Sequence, residues 1–179
     1  MRRLITILIV SLIAIGMVGC GGVWTGQFTI TYHIDEIGQQ GDVVDMYALD
    51  FNDDSDYNEH KDNIESVDQV SLVAWIYNYG AAGVTTQVYV DTVYTYETLE
   101  EVTENATLIF DPDFGVPASD SVLVDWENGL DYMVEGSSDF LEHIIRNVGA
   151  MAIYAVGSGT PPYYMRVDAE VVITFTASN

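Results

Sequence analysis

Every second residue from Tyr163 to Phe175 is apolar. Tyr163, Met165, Val167, Ala169, Val171, Ile173 and Phe175 alternate with Tyr164, Arg166, Asp168, Glu170, Val172 and Thr174. A repeat of two fits an extended chain that lays one face on a core and keeps the other wet; a helix would scatter the same residues around its circumference. The pattern recurs at the other end of the chain. In FTITYHIDEI (28–37), Phe28, Ile30, Tyr32 and Ile34 share one face, while Thr29, Thr31, His33 and Asp35 share the other. His33 is expected to be solvated there.

DVVDMYALDF (42–51) reads as a second strand and QVSLVAWIYNYG (69–80) as a third. In the third, Val70, Leu72, Ala74 and Ile76 oppose Val73, Trp75 and Tyr77, so both faces are apolar and a central position is expected. GAAG (80–83) then predicts a turn, with VTTQVYVDTVYTY (84–96) returning as the partner strand of a hairpin. ATLIFD (106–111), DSVLVDWE (120–127) and AMAIYAVGSG (150–159) complete about eight strands.

Two short helices interrupt them. SDYNEHKDNIES (55–66) starts with Asp56 as cap and has Glu59 three residues on. SSDFLEHIIRNVG (137–149) has Ser138 to cap it, an apolar stripe of Phe140, Leu141, Ile144, Ile145 and Val148, Arg146 in the last turn and Gly149 to close it. Many short strands, polar turns and few helices predict a mainly β fold: an antiparallel β-sandwich in one domain, 24–179.

The start of the chain is of another kind. Met1-Arg2-Arg3 is a cationic head, Leu4 to Val18 is apolar but for Thr6, Ser11 and Gly16, and Gly19 precedes Cys20, the one cysteine of the chain. A positive segment, an apolar run and a small residue before the cut describe an export signal. The run is short of the ~20 residues a spanning helix needs.

Met17-Val18-Gly19-Cys20 resembles a bacterial lipobox, with Met17 where that family usually has Leu. The resemblance implies that residues 1–19 are removed, that Cys20 carries lipid, palmitate included, and that 20–23 tether the domain to a membrane, the outer one where the host has two. DFNDDSDYNEHKDNIESVDQVSLVAWIYNYG (50–80), with the Cys-led start and the long last strand, resembles small sandwich domains of bacterial secreted lipoproteins. That likeness implies a fold and a compartment and carries over no active residue.

Composition bounds the partners. Removal of 1–19 takes Arg2 and Arg3 with it, leaving Lys61, Arg146 and Arg166 against 28 acidic residues, a net charge of −25. Such a surface repels nucleic acid and anionic lipid. It suits a saline exterior, a divalent cation or a basic partner.

Asp50, Asn52, Asp54 and Asp56 alternate as oxygen ligands for Ca²⁺ often do. They do not make an EF-hand loop: counted from Asp50, Ser55 stands in place of the glycine and Lys61 in place of the closing glutamate. The competing reading is a solvated acidic loop. Trp75 and Trp126 fall in strand patterns and are expected in the core, whereas adjacent Tyr163 and Tyr164 must put one ring outward, as a ligand contact.

No phosphate loop, no G-x-S-x-G and no His-Glu-x-x-His is present, and His33, His60 and His143 share no ligand spacing. The expectation is a non-catalytic interaction or structural module of the cell envelope, meeting an envelope protein. The alternative is an extracellular ligand-binding module, for a glycan or for Ca²⁺-dependent adhesion.

Overall fold

The computed structural model describes residues 25–160 and 164–178. Within them the strands are β1 (Thr25–Gln40), β2 (Val43–Val44), β3 (Met46–Asp50), β4 (Ile64–Asn78), β5 (Val84–Asp91), β6 (Thr107–Phe110), β7 (Gly115–Val116), β8 (Asp120–Val124), β9 (Ala150–Gly159) and β10 (Tyr164–Ser178). The α-helices are α1 (Ser55–His60), α2 (Leu99–Asn105), α3 (Trp126–Gly129) and α4 (Ser137–Asn147). Two antiparallel sheets pack as a sandwich. The first runs β2-β1-β10-β4-β8; the second runs β3-β9-β5-β6, with β7 also on β5.

The alternating β10 is the centre of the first sheet, pairing along its length with β1 on one side and β4 on the other. Its odd-numbered residues from Met165 to Ala177 are buried, as the period requires. Ile30, Ile34, Leu72, Ala74 and Ile76 join them from β1 and β4, and Val88, Val90, Met151, Ile153 and Ala155 face them from the second sheet. β9 is buried on both faces. Its even residues Ala152, Tyr154 and Val156 form a smaller cluster with Val44, Tyr89 and Val102, where α2 covers the outside of the second sheet.

Several expectations are corrected. Residues 42–51 are not one strand: β2 pairs with β1 in the first sheet and β3 with β9 in the second. The chain changes sheets at Asp45, whose amide donates to the Gly38 carbonyl at 2.8 Å. The hairpin across GAAG is also absent. β4 pairs with β10 and β8, while β5 pairs with β9, β6 and β7, so 80–83 is a crossover between sheets.

The buried Asn78 explains that crossover. Its amide nitrogen donates to the carbonyls of Ala82, Val116 and Pro117, and its oxygen accepts from the Gly80 amide. This one side chain satisfies the turn on both sides.

The helices differ in their ends. Asp54, not Asp56, caps α1: it is extended, and its carboxylate accepts from the Asp56 and Tyr57 amides at 2.9 Å. The helix stops at His60, a 3₁₀ turn covers 61–63, and β4 begins at Ile64. α4 follows Gly136, which has φ +82°, and Ser138 lies inside its first turn. Gly149, at φ +79°, does close the helix, its amide reaching the Ile144 carbonyl at 2.9 Å. Leu141, Ile144 and Ile145 are buried as the stripe predicts, whereas Val148 is exposed.

Two helices were not expected. Thr98 and Glu101 form a reciprocal capping box at α2, and Asp125 and Asn128 form one at α3. α3 takes over the edge of β4 where β8 ends, with Gly129 against the Leu72 carbonyl. Trp126 is therefore helical rather than the end of a strand.

Near the start of β4, Asp68 joins three strands. Its carboxylate accepts from Gln27 at 3.0 Å, Ser66 at 2.7 Å and Thr176 at 2.7 Å. The bonds from Gln27 and Thr176, with Ser66 adding to them, hold its carboxyl below the usual carboxylate range. A depressed carboxyl stabilises the fold above its unfolded value, ~3.9, and this contribution is lost as pH falls through the folded value. Asp68→Asn is thus expected to melt below the parent at neutral pH, with a narrower gap at about pH 3, below the unfolded value. An equal gap at both pH values would refute the assignment.

Candidate functional site: the outer face of the first sheet

β4 has period two, and one of its two apolar faces leaves the core. Leu72, Ala74, Ile76 and Asn78 point inward, and Val73, Trp75, Tyr77 and Tyr79 point outward. Trp75 is 44% exposed and Trp126 42%, so neither is the core residue expected of it. Trp75 heads a row of stacked rings. Its centroid lies 6.3 Å from that of Tyr77, Tyr77 lies 6.1 Å from Tyr79, and Tyr79 lies 5.3 Å from Tyr164 on the neighbouring strand. The Tyr79 amide donates to the Tyr164 carbonyl at 2.8 Å, which fixes the last step of the row.

A cation is built into this row. The Arg166 guanidinium carbon sits 5.0 Å from the Tyr77 ring centroid, and its Nη2 pairs with Glu36 Oε1 at 2.9 Å. The arginine lies directly across from Tyr77 in the β10–β4 register. Glu36 reaches it from a bulge in β1 between Ile34 and Ile37, where Glu36 itself has a positive φ of 24°.

Beside Trp75 lies an open trough of about 300 Å³. The register explains its walls. Trp75 faces Asp168 on β10 and Leu123 on β8, while His33 on β1 faces Glu170, which faces Val73. Leu123 is 42% exposed. The trough thus has an apolar side, made by Trp75, Leu123 and Val73, and a side carrying Asp168, Glu170 and His33. His33 Nε2 stands 3.8 Å from Asp168 Oδ1.

The acidic loop has a different geometry. Asp50 Oδ1 accepts from the Asn52 amide at 2.9 Å and from its side chain at 2.8 Å, and these bonds hold its carboxyl below the usual range. Asn52 Oδ1 accepts from the Lys61 ammonium at 2.9 Å, and Asp54 caps α1. Asp56 is exposed in the first turn of that helix. The loop lies over Tyr32, whose phenol is pushed up by burial and by neighbouring Asp54. Among the described residues, no three His, Cys, Asp or Glu side chains come together as a metal would require.

Of the other expected site residues, Tyr164 is outward and 40% exposed, at the end of the aromatic row. Cys20 and Tyr163 lie outside the described residues. Trp75, Tyr77, Tyr79, Asp168 and Glu170 were not picked out as site residues. The signal for Trp75, Tyr77 and Tyr79 is the second apolar face of 70–79, which fits burial as well as exposure; Asp168 and Glu170 carry none, because only the cross-strand register brings them there.

No family model and no curated protein matches the chain. A chain from the solved structure of Desmodium yellow mottle tymovirus is similar over 93% of this chain and 94% of that chain, at 10% identity and a TM-score of 0.33.

Proposed function

We propose that the chain is an exported lipoprotein, held to a membrane through Cys20, whose β-sandwich is a non-catalytic interaction module of the cell envelope. The outer face of the first sheet is its contact surface. The observation that carries this reading is the outward row Trp75, Tyr77, Tyr79 and Tyr164, exposed at all but Tyr77, with the trough beside it. Aromatic side chains bury much area at little entropic cost, and they are the residues that dominate binding surfaces. A net charge of −25 after residue 19 turns nucleic acid away from the module.

The anchor rests on the cationic head, the apolar run and Met17-Val18-Gly19-Cys20. No helix among the described residues is long and apolar enough to cross a membrane. Several acyl chains together hold a protein at a bilayer far more firmly than one. Cells labelled with radioactive palmitate should mark the parent protein and not Cys20→Ser, and the variant should leave the membrane fraction. Unchanged label and fractionation in Cys20→Ser would refute the anchor.

A second reading, a module for an extracellular glycan, draws on the same exposed Tyr79–Tyr164 pair. A glycan-array signal abolished by Tyr164→Ala would install it.

A further inference from the structure

We infer that the trough beside Trp75 seats an arginine or lysine side chain of a basic partner polypeptide. The inference rests on the interaction-module reading and names the chemistry of the partner.

Shape and polarity come first. The trough has Trp75, Leu123 and Val73 on one side and the carboxylates of Asp168 and Glu170, with His33 beside them, on the other. That arrangement suits a side chain with an apolar stem and a cationic head. The stem lies along the tryptophan and leucine while the head meets the carboxylates. An uncharged ligand could use the apolar side and donate hydroxyl protons to the carboxylates, but only a cation is also drawn by their charge.

The protein also contains its own example of the contact. On the same face, the Arg166 guanidinium lies over Tyr77 and pairs with Glu36. Ring, guanidinium and carboxylate are assembled there from three strands. Trp75 is the next ring of the row, and Asp168 and Glu170 are the next carboxylates along β10, so the trough repeats the ring and the carboxylates, with the His33 imidazole 3.8 Å from Asp168 where the other site has a guanidinium. Tryptophan is the strongest of the aromatic rings toward a cation, and a planar guanidinium stacks better than an ammonium.

Charge selects the occupant. A second copy of this chain brings the same excess of acid, 28 Asp and Glu against Lys61, Arg146 and Arg166 beyond residue 19, and is repelled. A basic polypeptide is attracted over a distance and then held by the trough.

The test titrates the full chain in detergent micelles with three probes: a fluorescent Arg-Ser repeat peptide, a Gln-Ser repeat peptide and chitohexaose. Trp75→Ala and Asp168→Asn/Glu170→Gln remove the two sides of the trough. Glu104→Gln/Glu135→Gln removes the same charge from exposed positions on α2 and ahead of α4. Thermal melts and near-ultraviolet circular dichroism of each variant establish that it is folded. The Arg-Ser peptide should bind the parent, and each trough variant should weaken it about tenfold, with a further loss as salt is added. The Glu104/Glu135 pair should change it less than about twofold.

Absence of Arg-Ser binding to the parent overturns the inference. So does an equal loss in the Glu104/Glu135 pair, which would mean a diffuse field. Tighter binding of chitohexaose or of the Gln-Ser peptide also overturns it and marks an uncharged ligand. Membrane fractionation of Cys20→Ser reads the anchor separately, so a failed trough and a failed anchor give different results.

Discussion

Asn78→Asp is expected to destabilise the native state by about 3–5 kcal/mol at pH 7, although it replaces one atom of the side chain. Asn78 is 1% exposed. Its amide nitrogen donates to three carbonyls, Ala82 at 2.8 Å and Val116 and Pro117 at 3.0 Å. A carboxylate there offers no proton and sets its charge against three oxygens. The introduced carboxyl is therefore held above its ordinary value. Its penalty is full above the folded pKa and shrinks as pH falls toward the unfolded value of ~3.9, because the protonated acid can donate once. Asn78→Ala leaves the carbonyls unpaired without the charge and should cost about 1–3 kcal/mol. Urea unfolding of parent, Ala and Asp forms at pH 7 and pH 4 checks both points. Equal deficits for Ala and Asp at pH 7 would remove the charge argument.

Gly129→Ala should destabilise by about 1–3 kcal/mol, against the ordinary sign of the substitution. Gly129 is helical, φ −58° and ψ −33°, and in an exposed helix alanine would be better there by ~1 kcal/mol. Here an added Cβ would stand 2.5 Å from the Leu72 carbonyl oxygen and 3.6 Å from a methyl of Val124. Backbone cannot swing aside as a flexible side chain can, so α3 must lift from the edge of β4. In a chain of this size each kcal/mol lowers the melting temperature by about 2–4 °C. Gly136→Ala makes an informative companion. Nothing lies near its Cβ, but its φ of +82° penalises alanine by about 1–2 kcal/mol through the backbone alone. A Gly129→Ala protein as stable as the parent would show that α3 is not pressed on β4.

What could be read from the chain divides at the point where distant segments meet. The alternation of β10 is a local property, and it gave both the strand and the buried set from Met165 to Ala177. The α4 stripe was equally local. In 70–79 the period established that one face is inside, but two apolar faces left the choice open, and Trp75 went to the wrong side. The hairpin at GAAG failed for a different reason. Consecutive strands commonly pair, and the side chain that sends β5 to the other sheet, Asn78, acts on Val116 and Pro117, far away in sequence. The capping box of α2 is present as T-L-E-E at 98–101, just beyond the strand pattern that runs to Tyr96. Tyr164 could be found as a site residue from its neighbour alone. Asp168 and Glu170 could not, because only the cross-strand register brings them to Trp75 and Val73.

That register also places the proposed contact surface relative to the start of β1. Thr25 pairs with Ser178, and Gln40 pairs with Tyr164 at the far end of the same two strands. At about 3.3 Å per residue, the 16 residues of β1 extend roughly 50 Å. Under the proposed anchor, a lipid on Cys20 would join the chain on the side of Thr25, at the end of the sheet opposite Tyr164, with Asp168 about 30 Å along β10 from Ser178. Electrostatic influence fades over about 8 Å in physiological salt. A domain standing end-on to that membrane would hold the acidic trough several screening lengths from the headgroups, where the membrane's own charge would neither attract nor repel what arrives. Altering the lipid composition of the bilayer should leave capture of a partner unchanged, and a thick surface layer of a few tens of ångströms would still leave the aromatic row within reach.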